Sequence, residues 1–259
     1  MIESENYLEK KAFFDRVLTV YGRNAVLEAL QDNSLTCYCI HLATSNREAG
    51  SVAKITQLAE KREISIKHHS RVELARISKN GKQDQGVALD IICPGFNTLD
   101  NFLNELPGNR PVRLLALDGI TNPQNLGMIV RSAAAGHIDG ILWSPRGNAA
   151  LGPLVIKASA GTLYRAPMLV CSDLVTGLTA CRDAGMDICT LEATAKESLF
   201  GRGESAQSVF VLGNESEGVS DSVKRIATTS LSIPMNNAVE SLNVAVTASL
   251  IAYAGNLGR

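Results

Sequence analysis

The sequence carries almost no net charge: 25 Lys and Arg stand against 26 Asp and Glu, leaving −1 at neutral pH. That balance does not announce a nucleic-acid binder, but it does not exclude one, because a local basic face can hide behind acidic surface elsewhere. There is no CxxC pair: the six cysteines, at 37, 39, 93, 171, 181 and 189, read as reduced and mostly buried thiols, as expected of a cytoplasmic chain. No apolar run of membrane length occurs. The longest uncharged stretch, Ser241 to Gly258, is interrupted by Ser, Asn, Thr and Gly and reads as a buried or interface helix, so no membrane partner is expected. The opening residues MIESENYLE hold three Glu and no apolar run, which speaks against a secretory signal. The four histidines, at 41, 68, 69 and 137, lack ligand spacing, so no bound metal is expected. Internal repeats and low-complexity tracts are also missing. What remains is ordinary globular composition, 45% apolar and 20% charged over 259 residues, enough for one large domain or two modest ones.

From Val20 to about Cys93, short apolar runs (YCIHLA near 38, ISIK at 64, VALDII at 87) alternate with helix-like stretches, Asn24 to Leu30 and Ser51 to Lys61. A compact α/β domain over 1–93 is expected. The Pro-Gly pair at 94 and 95 and PGNRP at 107–111 bracket a short amphipathic piece, LDNFLNEL, and place a linker over 94–111. Over 112–259 the pattern restarts as LLALD, GILW, PMLV, DICTL, VFVLG and SLSIP, each followed by helix-like sequence. Such alternation predicts an α/β fold with a mostly parallel sheet, whose ligands sit at the carboxyl ends of the strands.

Three of those strand ends are polar and rich in Gly or Asn. In LDGITNPQNLGMIVRSAAAG, 117–136, Asn122 is a candidate N-cap and Pro123 fits the first helical position, so Gln124 and Asn125 fall in the first turn. Gly127 lies four residues before Arg131; it either keeps space beside the guanidinium or simply permits close helix packing. In VFVLGNESEGVS, 209–220, Gly213 and Gly218 bound a turn holding Glu215 and Glu217, which reads as a ligand loop or as an ordinary turn with solvated acids. In SIPMNNAVESLNVAVTASLIAYA, 232–254, a helix is expected to be capped by Ser241, with Asn243 in its first turn; polar side chains and free N–H groups there suit a ligand carboxylate, or cap a core helix.

Taken together and in this order, N-x5-R from Asn125 to Arg131, G-N-E-x-x-G from Gly213 to Gly218, and I-P-M…E-S-L-N from Ile233 to Asn243 closely resemble the three motifs of the SpoU (TrmH-type) RNA 2′-O-ribose methyltransferases. The resemblance spans roughly residues 112–255. It implies a parallel sheet tied into a trefoil knot, a topology that general chain rules treat as exceptional. It also implies S-adenosylmethionine as cofactor, held at Gly213, Ile233, Met235 and Leu242, and a homodimer with the helix after Ser241 near the interface. Many relatives have Gly where this chain has Asn237, and Asn is the next most tolerant residue of a left-handed backbone. VYGRNAVLEAL at 20–30 and DQGVAL at 84–89 resemble the RNA-binding domain that precedes the catalytic domain in ribosomal-RNA members, which favours ribosomal over transfer RNA. Independently, residues 61–82 hold Lys61, Arg62, Lys67, Arg71, Arg76, Lys79 and Lys82 against Glu63 and Glu73, a local +5 suited to phosphate or to a solvated helix face.

The catalytic residues implied are Arg131, Asn125, Glu215, Ser241 and Asn243. A guanidinium is effectively always protonated, so Arg131 suits gripping phosphate and stabilising charge on the ribose oxygen better than acting as base. Asn125 and Glu215 would orient Arg131 and the ribose, while Ser241 and Asn243 would hold the cofactor end. Two other enzyme classes fail. GRGESA at 201–206 matches a dinucleotide fingerprint, but QSVFVL, a strand, follows it where a helix is needed. Ser216 between two glycines has no histidine after it, as a sheet-borne serine hydrolase requires. A transfer-RNA enzyme and a non-catalytic RNA-binding relative remain alternatives, though the latter would be expected to have lost Arg131, Asn125 or Asn243.

Overall fold

The computed structural model describes residues 5–106, 108, 110–201 and 207–254. Most of GRGESA, 202–206, and two residues of PGNRP, 107 and 109, lie outside that set. The chain divides into two units, one reaching Pro94 and taking in Leu151–Pro153, the other comprising Gly95–Ala150 and the remainder.

In the first unit α1 (Glu5–Phe14), β1 (Val17–Tyr21), α2 (Arg23–Gln31), β2 (Thr36–Ala43), α3 (Ser51–Lys61), β3 (Ser65–His69), α4 (Arg71–Ser78) and β4 (Val87–Ile92) follow in order. Its sheet runs β1-β4-β2-β3; β4 is antiparallel to both neighbours and β2 is parallel to β3. Alternation divides the strands between two faces. Val20, Ile40, Leu42, Leu89 and Ile91 are buried, as are Val26 and Leu30 of α2 and Val52 and Ile55 of α3. On the other face Ala43 and Ala88 pack with Leu74 of α4 and the half-buried Tyr21. The first turn of α4 is closed by a capping box in which Ser70 and Glu73 satisfy each other's backbone N–H.

The second unit contains β5 (Asn97–Thr98), α5 (Leu99–Asn104), β6 (Arg113–Leu117), α6 (Pro123–Ala135), β7 (Gly140–Trp143), all but the first residue of α7 (Pro153–Ala158), β8 (Met168–Val170), α8 (Leu174–Asp183), β9 (Asp187–Leu191), β10 (Glu197–Ser198), β11 (Ser208–Leu212), α9 (Asp221–Lys224), β12 (Thr229–Ser232) and α10 (Val244–Ala254). All pairings in its sheet, ordered β10-β12-β9-β11-β6-β7-β8-β5, are parallel. The parallel α/β fold expected from the alternation is therefore present. Within the stretch read as linker, β5 adds to the sheet edge beside β8 and Leu99 is buried at 2%, so residues 97–104 belong to the second unit's architecture. Two residues of strand carry too weak an alternation to be seen in sequence.

One face of this sheet packs Leu114, Ala116, Leu142, Ile188, Val209 and Val211 against Leu174, Leu178 and Cys181 of α8 and Val223 of α9. The helices α6 and α10 pack together: Ser249 donates to Ser132 at 2.8 Å and Tyr253 to the carbonyl of Ala135 at 3.0 Å. Arg113 of β6 secures the end of α10 by donating to the Ile251 carbonyl at 2.6 Å while its guanidinium lies 4.9 Å from the centre of the Phe210 ring. Gly127 proves to be a packing glycine. A methyl there would run into Ala158 and come within 2.7 Å of the Val155 carbonyl, so its bare backbone is filled by α7 and leaves no vacancy beside Arg131.

Candidate active site

Successive strands extend from β6 through β7 to β8 on one side, and β11, β9 and β12 lie on the other, so the order of the sheet turns between β6 and β11. Loops leaving adjacent strands at such a point diverge and open a crevice at their carboxyl ends. Both loops there carry predicted residues.

After β6, Asn122 caps α6 by accepting from the Gln124 N–H at 2.9 Å, and Pro123 occupies the first helical position, as its fixed φ and missing N–H favour. This sets Asn125 in the first turn, 6% exposed. After β11 the loop closes on itself: Asn214 and Gly218 exchange backbone hydrogen bonds, both of 2.9 Å. Gly213 is required by that closure, since a Cβ would overlap the backbone of Gly218 and Val219. Its bareness serves the loop's own crossing, whereas the sequence suggested room for a ligand. Gly218 has φ +70°, which a side chain would strain.

The third loop leaves β12 and turns at Asn237 and Ala238, with φ of +57° and +55°. Asn at the first of these fits the expectation that it replaces a Gly in a left-handed position, while Ala at the second carries about 1 kcal/mol of strain. The cap of α10 differs from expectation. Asn243, not Ser241, accepts from the Ala245 N–H at 2.9 Å, and its own carbonyl receives the first helical bond, from Thr247 at 3.0 Å. Ser241 lies two residues too early for its side chain to reach the first turn of a helix that begins at Val244.

Asn243 is what joins the three loops. While its Oδ1 caps α10, its Nδ2 donates to Glu215 Oε1 at 2.6 Å and to Asn125 Oδ1 at 3.4 Å. Asn125, Glu215 and Asn243 are thus brought together. Arg131 is not part of this cluster: six residues beyond Asn125, it lies about 9 Å farther along the helix and on another face. Its side chain is exposed and, among the described residues, makes no hydrogen bond or ion pair.

Two cavities flank the cluster. One, of about 140 Å³, is bounded by Gly119 to Asn122, Asn125, Asn214 to Ser216 and Val244. The other, about 180 Å³, has apolar walls from Leu191, Leu212, Val219, Leu242 and Val244 and a polar rim from Asn214, Glu215, Ser241 and Thr247. Of the residues expected to hold cofactor, Gly213 and Leu242 line this second cavity. Ile233 and Met235, half-buried on the loop after β12, are not among its lining residues. Apolar walls beside hydroxyl, amide and carboxylate groups suit a ligand with an apolar body and polar ends.

Asn214 was not singled out from sequence, yet it sets the loop that carries Glu215. Its Nδ2 donates to the Gly119 carbonyl at 2.9 Å, tying the loops after β6 and β11, and its Oδ1 accepts from the Ser216 N–H at 2.9 Å. The signal available was an Asn two residues before the tip of a Gly-bounded turn, where such side chains bond backbone locally. Asp118 does likewise, accepting from the Ser220 N–H at 2.7 Å. In the first unit, Arg62 is spent internally on the carbonyls of Leu30 and Leu35, at 2.7 and 2.6 Å, so one of the seven basic residues of 61–82 serves the fold.

Residues 113–253 match the sequence profile of the SpoU rRNA Methylase family, and residues 19–92 match a profile described as RNA 2′-O ribose methyltransferase substrate binding. A protein of Mycolicibacterium vanbaalenii called an uncharacterized tRNA/rRNA methyltransferase is 32% identical over 233 residues, covering 90% of this chain and 74% of its own. Among solved structures, the SpoU methyltransferase AviRb of Streptomyces viridochromogenes with its cofactor AdoMet aligns over 98% of this chain and 93% of its own, with TM-score 0.60 and 18% identity. An AdoMet-bound rRNA methyltransferase of Sinorhizobium meliloti aligns over 97% and 90%, with TM-score 0.61 and 18% identity.

Proposed function

The chain belongs to the SpoU rRNA Methylase family, and on that premise we propose that it transfers a methyl group from S-adenosylmethionine to a ribose 2′-hydroxyl of RNA, with ribosomal RNA the preferred substrate. The observation that carries this reading is the meeting of Asn125, Glu215 and Asn243, from three separate loops, between the two cavities.

Gly213 and Leu242 in the larger cavity, with Ile233 and Met235 on the adjoining loop, would hold S-adenosylmethionine, which would supply an electrophilic methyl. The residues of the chain have the remaining tasks. In methyl transfer to a hydroxyl the new C–O bond would form in line as the sulfonium's C–S bond breaks, and the hydroxyl proton would pass to water, so alignment contributes most of what the protein can supply. Glu215 borders both cavities and is held by Asn243, which places its carboxylate to orient a ribose hydroxyl entering from the smaller one. Asn125, fixed in the first turn of α6, holds Asn243 in turn, and Ser241 stands at the rim of the larger cavity to bind the cofactor's polar end. Arg131 grips phosphate through its guanidinium, stabilising negative charge as it develops on the oxygen.

Its distance from the other catalytic residues is accounted for by a homodimer. Met128 and Val246 are 41% and 48% exposed on the packed pair α6 and α10, and Tyr253 is 43% exposed. Covering that face with a second copy would remove apolar surface from water and place Arg131 where it can serve the joint assembly. The trefoil knot implied by the motifs, the domain limits 1–93 and 112–259, and a cytoplasmic setting are part of the same reading. Among the described residues no helix is long and apolar enough to cross a membrane.

Labelled S-adenosylmethionine offered with ribosomal RNA and, separately, transfer RNA tests this, with Arg131→Ala in parallel. Alkali-resistant label in ribosomal RNA, lost in the variant, is expected. Label only in transfer RNA would reverse the substrate, and cofactor binding without transfer to either RNA would favour a binding-only protein.

A further inference from the structure

Four polar side chains form an unbroken line across the first unit's sheet, one from each strand in the order β1-β4-β2-β3. Thr19 donates to Asp90 Oδ1 at 2.7 Å, Asp90 Oδ2 lies 3.0 Å from His41 Nε2, and His41 Nδ1 lies 2.9 Å from His69 Nε2. Sheet geometry explains the alignment. Tyr21, Ala43 and Ala88 face Leu74 of α4; Thr19, His41 and Asp90 are each two residues away on the same strands and share that face. His69 pairs with Ala43 in register and projects alongside it. His41 and Asp90 are 7% and 8% exposed, whereas His69 is half-buried. The line therefore runs from half-buried Thr19 through the buried Asp90 and His41 to a second half-buried end at His69.

Its protonation states follow from donor and acceptor counting. Asp90 Oδ1 accepts from Thr19, and Oδ2 pairs with His41 Nε2 as the donor. In the neutral line His41 Nδ1 has only a lone pair, so His69 Nε2 must donate to it, and His69 Nδ1 is then an acceptor. One added proton reverses this. Whether the charge sits on His41 or on His69, the shared position stays filled and His69 Nδ1 carries a hydrogen. Among the described residues Nδ1 has no partner.

The charged and titratable groups acting on His69 are His41 on β2, Lys67 and, from the opposite face, His68 on β3, and Glu73 on α4, whose carboxylate is engaged by the Ser70 N–H. Asp90 on β4 stands behind His41; Lys54, Glu60 and Lys61 of α3, which also packs on β3, are exposed. Burial and the neighbouring His41 hold the His69 pKa below its ordinary value. Lys67, two residues before His69 on the same face, and the basic stretch around it make an anion the fitting ligand.

We propose that the Thr19, Asp90, His41 and His69 line is an RNA-backbone contact of the first unit, in which uptake of one proton from solvent turns His69 Nδ1 from acceptor into donor toward a phosphate oxygen. The inference rests on the reading that this chain acts on RNA, and all four residues lie within the segment, 19–92, that matches the substrate-binding profile. His69 is the contact; His41, Asp90 and Thr19 are positioning residues that fix its ring and keep the added charge balanced.

By linkage, a phosphate that favours the protonated line raises its titration point in the complex, so RNA binds more tightly below the free protein's titration point and loses that advantage as pH rises through the complex's. A shift of one unit is tenfold in affinity, and about threefold to tenfold tightening is expected between about pH 8 and pH 6. Binding of a fluorescein-labelled RNA stem-loop to the full chain would be followed by anisotropy across that range at fixed salt. The same series would be run for His69→Gln, His68→Gln and His41→Asn, with urea midpoints confirming that each variant is folded. His69→Gln should bind with a flat pH profile, His68→Gln should behave as wild type, and His41→Asn should lose part of the dependence. In parallel, the His69 ring resonance should titrate at higher pH with RNA present. A His69→Gln profile as steep as wild type, or a His69 titration unmoved by RNA, overturns the proposal while leaving RNA binding intact. Failure of the wild-type chain to bind RNA at any pH overturns the RNA reading itself and this inference with it.

Discussion

Asn243 performs two separable tasks with one amide, and Asn243→Asp separates them. The Oδ1 atom caps α10 by accepting from the Ala245 N–H at 2.9 Å, which a carboxylate does equally well, with an added gain of about 0.3–1 kcal/mol from negative charge at a helix N-terminus. The Nδ2 atom donates to Glu215 at 2.6 Å, and there the substitution puts two carboxylates face to face. Asn243→Ala, in contrast, loses the cap, which costs about 1 kcal/mol, together with the Glu215 hydrogen bond. The expected result is an Asp variant within about 1 kcal/mol of wild type in urea denaturation but with methyl transfer at neutral pH lowered about a hundredfold, comparable to losing one preorganised hydrogen bond in an active site. Acidification should restore part of that activity, because a single shared proton turns the carboxylate pair back into a donor and an acceptor. An Ala variant should be less stable and show no such recovery. Full activity of Asn243→Asp at neutral pH, or stability as low as that of Asn243→Ala, would refute the division of labour.

Gly213→Ala forces a methyl into the Gly218 and Val219 backbone and should cost about 1–3 kcal/mol with loss of cofactor binding, measured by calorimetric titration. Gly127→Ala, facing Ala158 and the Val155 carbonyl, should destabilise by a similar amount in thermal unfolding. Ala238→Gly relieves a left-handed backbone, so the unfolding free energy should hold or rise, by up to about 1 kcal/mol in urea denaturation. Burial pushes the Cys93 and Cys181 thiols up to about 12, so both should resist alkylation at pH 8 until the chain is denatured. The same shift fixes a sign: unfolded thiols ionise near pH 9 and folded ones do not, so between about pH 9 and 12 each costs about 1.4 kcal/mol of stability per pH unit. The double variant Cys93→Ala, Cys181→Ala should show a flatter alkaline stability profile.

Much of this protein was determined by sequence alone, wherever a local rule sufficed. The strands GILW, DICTL and VALDII and the helix from Ser51 to Lys61 appear with the boundaries read from alternation and period, because burial on one face imposes those periods directly. Asn122 and Pro123 start α6 as local capping chemistry requires. Asn125, Glu215 and Asn243 could be named from their motifs because each stands at the end of a strand in a parallel sheet. Tertiary structure decided the rest. That Asn243 and not Ser241 caps α10 depends on where packing against α6 lets the helix begin. That Gly127 accommodates α7, and Gly213 the crossing of its own loop, depends on residues 28 or more and five positions away whose approach no local pattern records. Arg131 belongs to the same motif as Asn125, yet six residues of helix set it on another face, for 3.6 residues per turn return a side chain to its starting direction only after three or four. The line from Thr19 to His69 was invisible for the same reason. Its members are spread over 71 positions of sequence, from Thr19 to Asp90, and only strand order and register bring four polar groups into hydrogen-bonding distance on one face.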